Sequence, residues 1–267
     1  MKLLNGKELA EYIKERQLKQ VRALRQSQNI VPKLAIIRTN PDRVVDSYMR
    51  LKQAYGEDIF VDVDVHTIKQ SEALATIKKL NEDESVHGII VQIPLPDPSQ
   101  TAEILDAVTP VKDVDGLSNT PRFDAPTPIA INWLLAGYNI DLRNKNVVVV
   151  GHGRLVGKPL VAMWKASGVQ VTSVDKSIED LKAITQEADI LVCATGVAGL
   201  ITKDMIKEDA VIVDAGVATD SNGLIGDVAP DVRTLEKITI TPEKGGVGPL
   251  TVCALFDNVI RAARGDQ

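Results

Sequence analysis

Val147-Val-Val-Val-Gly151-His-Gly153-Arg-Leu-Val-Gly157-Lys-Pro159 is the stretch that decides how the rest of this sequence is read. Four consecutive valines suit a parallel strand covered on both faces. The glycines after them let backbone N–H groups approach a pyrophosphate at the N-terminus of a following helix. Strand, glycine turn and helix together form the opening unit of a dinucleotide-binding fold. The strict Gly-x-Gly-x-x-Gly spacing would put glycine at position 156, where this chain has Val156 and delays the glycine to Gly157. Taken alone, the stretch is compatible with a cofactor loop or with an ordinary strand-to-helix turn.

Downstream, apolar runs at residues 169–174, 190–194 and 210–214 repeat the strand, with helical or loop segments of ordinary length between them. Residues 238–240 are a last short strand, Asn222-Gly223 marks a turn, and residues 250–263 form a closing helix of the kind that packs back onto an N-terminal domain. Upstream, Thr127 followed by Pro128 is a hydroxyl cap with proline at the first helical position, and Gly137 is placed to end that helix.

The first part of the chain repeats the alternation. Leu9, Ile13, Val21 and Leu24 approximate helical spacing. Residues 34–37 then read as a strand and 44–55 as a helix that carries Tyr48 and Lys52 four residues apart on one face. Val61, Val63 and Val65 alternate with Asp62 and Asp64, the period of a half-exposed strand at a sheet edge. After a helix over 71–80, Gly88-Ile-Ile-Val-Gln-Ile93 is a buried strand stopped by Pro94-Leu-Pro96. A short helix over 102–107 leads to the charged turn Lys112-Asp-Val-Asp-Gly116. The pattern predicts an α/β protein: two α/β domains flanking a cleft, the C-terminal one a Rossmann-like parallel sheet. The domains run over 1–119 plus 250–267 and over 120–249, and a cleft between domains is a common place for a ligand.

Composition narrows the classes. The chain has 267 residues, 44% hydrophobic and 25% charged, which fits a globular protein with a sizeable core. A net charge of -5 argues against a nucleic-acid binder. No stretch resembles a signal peptide or a bilayer span, so a cytoplasmic location without membrane attachment is expected. Cys193 and Cys253 each lie in an apolar run and read as buried thiols. His66, His87 and His152 lack metal-ligand spacing, so no metal is expected.

Several short stretches then agree in order and spacing: Ser47-Tyr48-Met-Arg-Leu-Lys52, Asn81-Glu-Asp83, Ile90-Val-Gln92-Ile-Pro94-Leu-Pro96, Lys112-Asp-Val-Asp115-Gly116, Thr127-Pro128, the Gly151 loop and Gly245-Gly-Val-Gly-Pro-Leu-Thr251. With these the chain resembles, over nearly its full length, the bifunctional methylenetetrahydrofolate dehydrogenase/methenyltetrahydrofolate cyclohydrolases. The resemblance implies oxidation of 5,10-methylenetetrahydrofolate with NAD(P) and hydrolysis of the methenyl product to the 10-formyl compound. Residues 1–119 plus 250–267 would be the substrate and catalytic domain, and 120–249 would bind the dinucleotide. It further implies tetrahydrofolate derivatives as ligands and a homodimer formed through the nucleotide domains.

The same resemblance assigns Tyr48 and Lys52 to the folate cleft, Gln92 to hydrogen-bond the lysine, and Asp115 to grip the pterin. Val91, Ile93, Gly246, Val247 and Pro249 would line the substrate. Gly151, His152, Gly153, Arg154, Gly157, Asp175, Lys176, Thr195, Gly196 and Val217 would meet the cofactor. A lysine carries protons near neutral pH only if desolvation or a nearby positive charge lowers its pKa. A carboxylate suits the pterin because it accepts adjacent N–H donors in bidentate fashion. Without the resemblance, Lys52 would read as a solvated helix lysine, Asp115 as a turn carboxylate, the 245–249 loop as a flexible turn, and Thr195-Gly196 and Val217 as plain strand exits. Gln92 differs, since an amide between Val91 and Ile93 must find partners.

Departures from the family pattern cluster at the cofactor. Gly151-His152-Gly153 stands where Gly-Arg-Ser is usual, so a phosphate-facing arginine is missing from its place and Arg154 lies two positions on. Asp175, 24 residues past Gly151, stands where His or a neutral residue is common. A carboxylate there accepts hydrogen bonds from a ribose 2′-hydroxyl and repels a 2′-phosphate, which favours NAD over the family's default NADP; Lys176 is a counterweight. The segment from Asn40-Pro41 to Tyr48 is about two residues longer than usual, and Glu243-Lys244, Leu250 and Pro126 also depart from the pattern. A single retained activity, or a folate- or nucleotide-binding module without turnover, are the alternatives these changes leave open.

Overall fold

In the computed structural model, residues 1–40, 43–220 and 223–265 are described, with backbone alone for 43–48, 219, 220, 223 and 224. The first half of the chain runs β1 (Lys2–Leu3), α1 (Gly6–Gln28), β2 (Lys33–Arg38), α2 (Arg43–Ile59), β3 (Asp62–Thr67), α3 (Ala73–Glu82), β4 (Gly88–Val91) and α4 (Thr101–Asp106). The second half runs α5 (Pro126–Gly137), β5 (Val147–Val150), α6 (Gly157–Ala166), β6 (Val171–Val174), α7 (Leu181–Gln186), β7 (Ile190–Cys193), β8 (Val211–Asp214), β9 (Ala218–Asp220), β10 (Gly223–Ile225), β11 (Thr239–Ile240) and α8 (Val247–Arg264). Two compact units result, one of Met1–Ala10 with Thr127–Thr251, the other of Glu11–Pro126 with Val252–Gln267.

The unit built on Thr127–Thr251 holds a six-stranded sheet in the order β1-β11-β8-β7-β5-β6, parallel at every pairing. The four valines of β5 are buried and lie between β6 and β7, with Val147 opposite Val171 on one side and Ile190 on the other. Burial on both faces is why this strand is continuously apolar. The first residues join this sheet because Lys2 N–H donates to Ile238 O at 2.8 Å and Leu4 N–H to Ile240 O at 2.9 Å. A two-residue strand carries no hydrophobic period, so the sequence boundary at residue 119 did not separate it. A β9–β10 hairpin is a second small sheet; Asn222 of the expected turn lies outside the described residues.

The other unit holds a three-stranded parallel sheet in the order β3-β2-β4. Residues along β2 alternate between two cores. Leu34 and Ile36 join Val21 and Leu24 of α1 and Leu255, Phe256, Val259 and Ile260 of α8. Ala35 and Ile37 join Ala73 and Ile77 of α3 and Ile104 and Leu105 of α4. Edge strand β3 keeps the predicted half-exposed alternation.

Helix α5 starts at Pro126, so Thr127 is a helical residue and not its cap. Gly137 is not the left-handed terminator either: Asn139 takes that conformation at φ 55. A Cβ on Gly137 would lie 2.9 Å from Leu9 Cδ2, a contact that a shift of the leucine side chain would relieve.

Phe256 is fully buried and its ring centroid lies 5.0 Å from that of Tyr55. Phe256→Ala should destabilise the protein by about 3–5 kcal/mol in denaturant unfolding. A loss under about 1 kcal/mol would contradict this packing.

Candidate active site

Two sets of predicted residues assemble, one in each unit. In the three-stranded unit, α2 carries Lys52 and the exit of β4 carries Gln92, whose N–H still donates to Ile37 O at 2.9 Å. Lys52 Nζ donates to Gln92 Oε1 at 3.2 Å, and Gln92 Nε2 donates to Ile93 O at 3.2 Å. The second bond fixes which end of the amide faces the lysine. Val91 is buried beside it and Ile93 half-buried, and the Ile93-Pro94 peptide is cis. Tyr48 lies one turn before Lys52 on α2, and its side chain is outside the described residues.

Burial holds the Lys52 ammonium's pKa below the ordinary lysine value, and the negative charge of Asp115 offsets part of that. Asp115 is shifted the other way: burial raises its carboxyl, the Lys52 charge opposes, and Asp113 adds to the rise. No hydrogen bond reaches the Asp115 carboxylate among the described residues.

The turn that presents Asp115 is held from three sides. The buried Asp113 carboxylate accepts N–H bonds from Gly116 at 3.0 Å and Ser118 at 2.9 Å. Gly116 has φ 64, and a Cβ there would lie 2.5 Å from Phe123 O. Asn258 on α8, fully buried, donates from Nδ2 to Val114 O and Asp124 O, both at 2.9 Å. Of the two aspartates in Lys112-Asp-Val-Asp115, one therefore braces the turn and the other accepts no hydrogen bond among the described residues.

In the six-stranded unit the predicted cofactor residues gather at the carboxyl ends of β5 to β8, where open parallel sheets bind ligands. Gly151 has φ 116, and a Cβ on it would lie 2.3 Å from Ala194 O. A Cβ on Gly157 would lie 1.9 Å from Gly151 O. Gly157 thus performs the close helix-to-strand packing of the third glycine in the fingerprint, one residue later than the strict spacing. His152, Gly153 and Arg154 are exposed, and a Cβ on Gly153 would meet nothing closer than 3.9 Å. His152 Nε2 lies 2.7 Å from Ser173 Oγ on β6.

Asp175 follows β6, exposed, and accepts bonds from Ser177 N–H at 3.1 Å and Ser177 Oγ at 2.9 Å. These bonds, helped by His152 and Lys176, keep its carboxyl below the usual range. Lys176 is exposed beside it. Thr195 and Gly196, the latter with φ 67, leave β7, and Val217, 54% exposed, follows β8. An open glycine turn leading into α6, a carboxylate after the second strand and an exposed apolar side chain fit a nicotinamide dinucleotide.

The loop before α8 belongs to this same unit. Lys7 N–H donates to Gly245 O at 3.0 Å, and a Cβ on Gly6 would lie 1.9 Å from Gly246 O, so the loop packs on the start of α1. Gly246 and Val247 are buried, with Pro249 half-buried in the first turn of α8. Arg233 donates to Thr241 O at 2.9 Å and pairs with Glu243 at 3.4 Å.

Among the described residues no helix is long and apolar enough to cross a membrane. Residues 4–115 match the family model for the tetrahydrofolate dehydrogenase/cyclohydrolase catalytic domain, and residues 125–267 that for its NAD(P)-binding domain. The bifunctional protein FolD of Sulfurovum sp. is 37% identical over 278 residues, covering 99% of each chain. That of Staphylococcus aureus strain Newman is 37% identical over 277 residues, covering 98% of this chain and 96% of its own. Among solved structures, the FolD methylenetetrahydrofolate dehydrogenase/cyclohydrolase of Campylobacter jejuni superposes with a TM-score of 0.93 at 34% identity, covering 100% of both chains. The Trypanosoma brucei enzyme, complexed with NADP and an inhibitor, superposes with a TM-score of 0.89 at 28% identity, covering 98% of this chain and 97% of its own.

The raised Asp115 carboxyl means that the native state holds a proton that the unfolded chain releases, so stability falls as pH rises from the ordinary carboxylate range through the folded value. Asp115→Asn removes that cost. Calorimetry should find the variant more stable than the parent near neutral pH, with a gain that shrinks on acidification. A gain that grows as pH falls would reverse the assignment.

Proposed function

The chain belongs to the tetrahydrofolate dehydrogenase/cyclohydrolase family, and on that premise we propose how its own residues share the two reactions. It is a bifunctional enzyme that oxidises 5,10-methylenetetrahydrofolate to the 5,10-methenyl compound with a nicotinamide cofactor and hydrolyses that product to 10-formyltetrahydrofolate. The catalytic reading rests on one observation: a lysine with a lowered pKa donating to an amide whose other end is already bonded.

The unit of Glu11–Pro126 with Val252–Gln267 serves as the substrate and catalytic domain, and that of Met1–Ala10 with Thr127–Thr251 as the dinucleotide domain, which moves the first ten residues out of the catalytic domain expected at 1–119 plus 250–267. Asp115 accepts the pterin's adjacent N–H groups; the absence of a competing partner among the described residues supports this. Tyr48, Val91, Ile93, Gly246, Val247 and Pro249 line the folate. Gln92 draws the Lys52 amine to one position through its Oε1. In the hydrolytic step, neutral Lys52 takes a proton from the water that attacks the methenyl carbon. The resulting ammonium returns a proton to the ring nitrogen as its bond to that carbon breaks, leaving the formyl group on the other nitrogen. Desolvation favours this cycle, because it lowers the amine's hold on its proton below that of an ordinary lysine.

Gly151, His152, Gly153, Arg154 and Gly157 would hold the cofactor's pyrophosphate, and Thr195, Gly196 and Val217 its nicotinamide end. When bound, the nicotinamide accepts the hydride that leaves the methylene bridge. Asp175 and Lys176 sit where the adenosine ribose would lie. The ionised, doubly hydrogen-bonded Asp175 favours a 2′-hydroxyl over a 2′-phosphate, so the enzyme uses NAD at least as well as NADP. A homodimer and a cytoplasmic location complete this reading.

Lys52→Ala should abolish cyclohydrolase activity, read as loss of methenyl-tetrahydrofolate absorbance against buffer, while some dehydrogenase activity persists. An unaltered hydrolysis rate would remove Lys52 from the mechanism. Steady-state rates with both cofactors test Asp175: a preference for NADP of about a hundredfold or more would refute the NAD reading, and Asp175→Ser should move the ratio toward NADP.

A further inference from the structure

Two carboxylates lie behind the loops that leave β7 and β8. Asp214, at the end of β8, accepts at Oδ1 from the N–H groups of Gly216 at 3.1 Å and Asp227 at 3.0 Å, and at Oδ2 from Val228 N–H at 3.1 Å. Asp227 is fully buried, and its Oδ2 accepts both the N–H and the hydroxyl of Thr195, the latter at 2.9 Å. Its other oxygen, Oδ1, is buried with no hydrogen-bond partner among the described residues. A Cβ on Gly216 would lie 2.0 Å from that oxygen, so the unpartnered atom abuts the backbone of the 215–217 loop.

Among the described residues no lysine, arginine or histidine forms an ion pair with either carboxylate. Their field is felt by neighbours: after desolvation, it helps push the Cys193 thiol up, and Asp227 helps push Asp214 up. A buried, uncompensated charge is costly, and the Thr195 clamp alone does not require one, since a neutral amide oxygen accepts the same two bonds. What a charge adds over an amide is attraction for a cation. The oxidised nicotinamide ring is cationic and the reduced ring neutral.

We infer that Asp227 is a specificity-determining residue for the redox state of the cofactor. Held behind the Thr195 and Gly216 loops, its charge favours the oxidised dinucleotide over the reduced one and so favours release of the reduced product. The inference rests on the assignment of Thr195, Gly196 and Val217 to the nicotinamide end made above.

Isothermal titration of the whole protein with NAD+, NADH, NADP+ and NADPH tests it without turnover. The parent should bind the oxidised form of whichever pair it accepts at least as tightly as the reduced form. Asp227→Asn keeps the clamp, with its amide oxygen toward Thr195 and its Nδ2 in place of the unpartnered oxygen. It should weaken the oxidised form relative to the reduced form by about fivefold or more. Equal weakening of both forms in Asp227→Asn would reduce Asp227 to a brace and overturn the inference. A parental preference of about tenfold for the reduced form would do the same even if the variant failed to fold. Binding of none of the four nucleotides by the parent would instead overturn the cofactor assignment on which the inference stands.

Discussion

A lysine ammonium and an aspartate taken out of water together, yet not joined in an ion pair, form the constraint on which the catalytic unit depends. Desolvation pushes Lys52 down and Asp115 up, and each charge opposes the other's shift. A direct pair would restore both to ordinary ionisation and leave neither free for a ligand. The structure keeps them apart by giving the lysine a neutral partner, Gln92 Oε1 at 3.2 Å, and giving the aspartate none among the described residues. A neutral acceptor orients an amine without restoring its lost proton affinity as strongly as a carboxylate would.

Keeping Asp115 in place then becomes the task of groups that do no chemistry. Asp113 consumes its own carboxylate on the backbone N–H groups of the turn, and Asn258 ties the turn's two ends from α8. Asn258 leaves its Oδ1 buried and without a partner. An unsatisfied acceptor costs stability, and the amide is kept because its Nδ2 satisfies two carbonyls of the turn that an apolar residue would leave unpaired. Its use points to a requirement on the turn's geometry.

The legible part of this fold is the part written in local periods. The valines of β5, the Val61, Val63 and Val65 alternation of β3, and the helical spacing that puts Lys52 on α2 each depend on neighbours within a few residues. Thr127 and Gly137 misled because a proline, Pro126, already supplies the helix start and Asn139 supplies the left-handed stop. β1 was illegible, since two residues have no period and its partner β11 lies more than two hundred residues away in the chain. Asn258 and Asp227 were illegible for the same reason: they act on residues 144 and 32 positions away, and nothing in their own flanks distinguishes them from any buried polar residue.

The displaced glycine shows how a motif can break in spelling while keeping its physics. The fingerprint requires one glycine where helix meets strand because a side chain there would strike backbone, and the contact between Gly157 and Gly151 O is that collision avoided. Moving the glycine one residue along lengthens the turn before α6 and leaves His152, Gly153 and Arg154 exposed at its tip. Because Gly153 presents no side chain, the proposed contacts there would come from backbone N–H groups rather than a fixed guanidinium, and such contacts suit the pyrophosphate common to every dinucleotide. On the reading proposed above, discrimination between dinucleotides would fall to the exit of β6, where bonds from Ser177 hold the Asp175 carboxyl below its usual range. On that reading the absent arginine and the added carboxylate would act on the same choice, since each would remove attraction for a 2′-phosphate and neither would weaken the grip on the pyrophosphate itself.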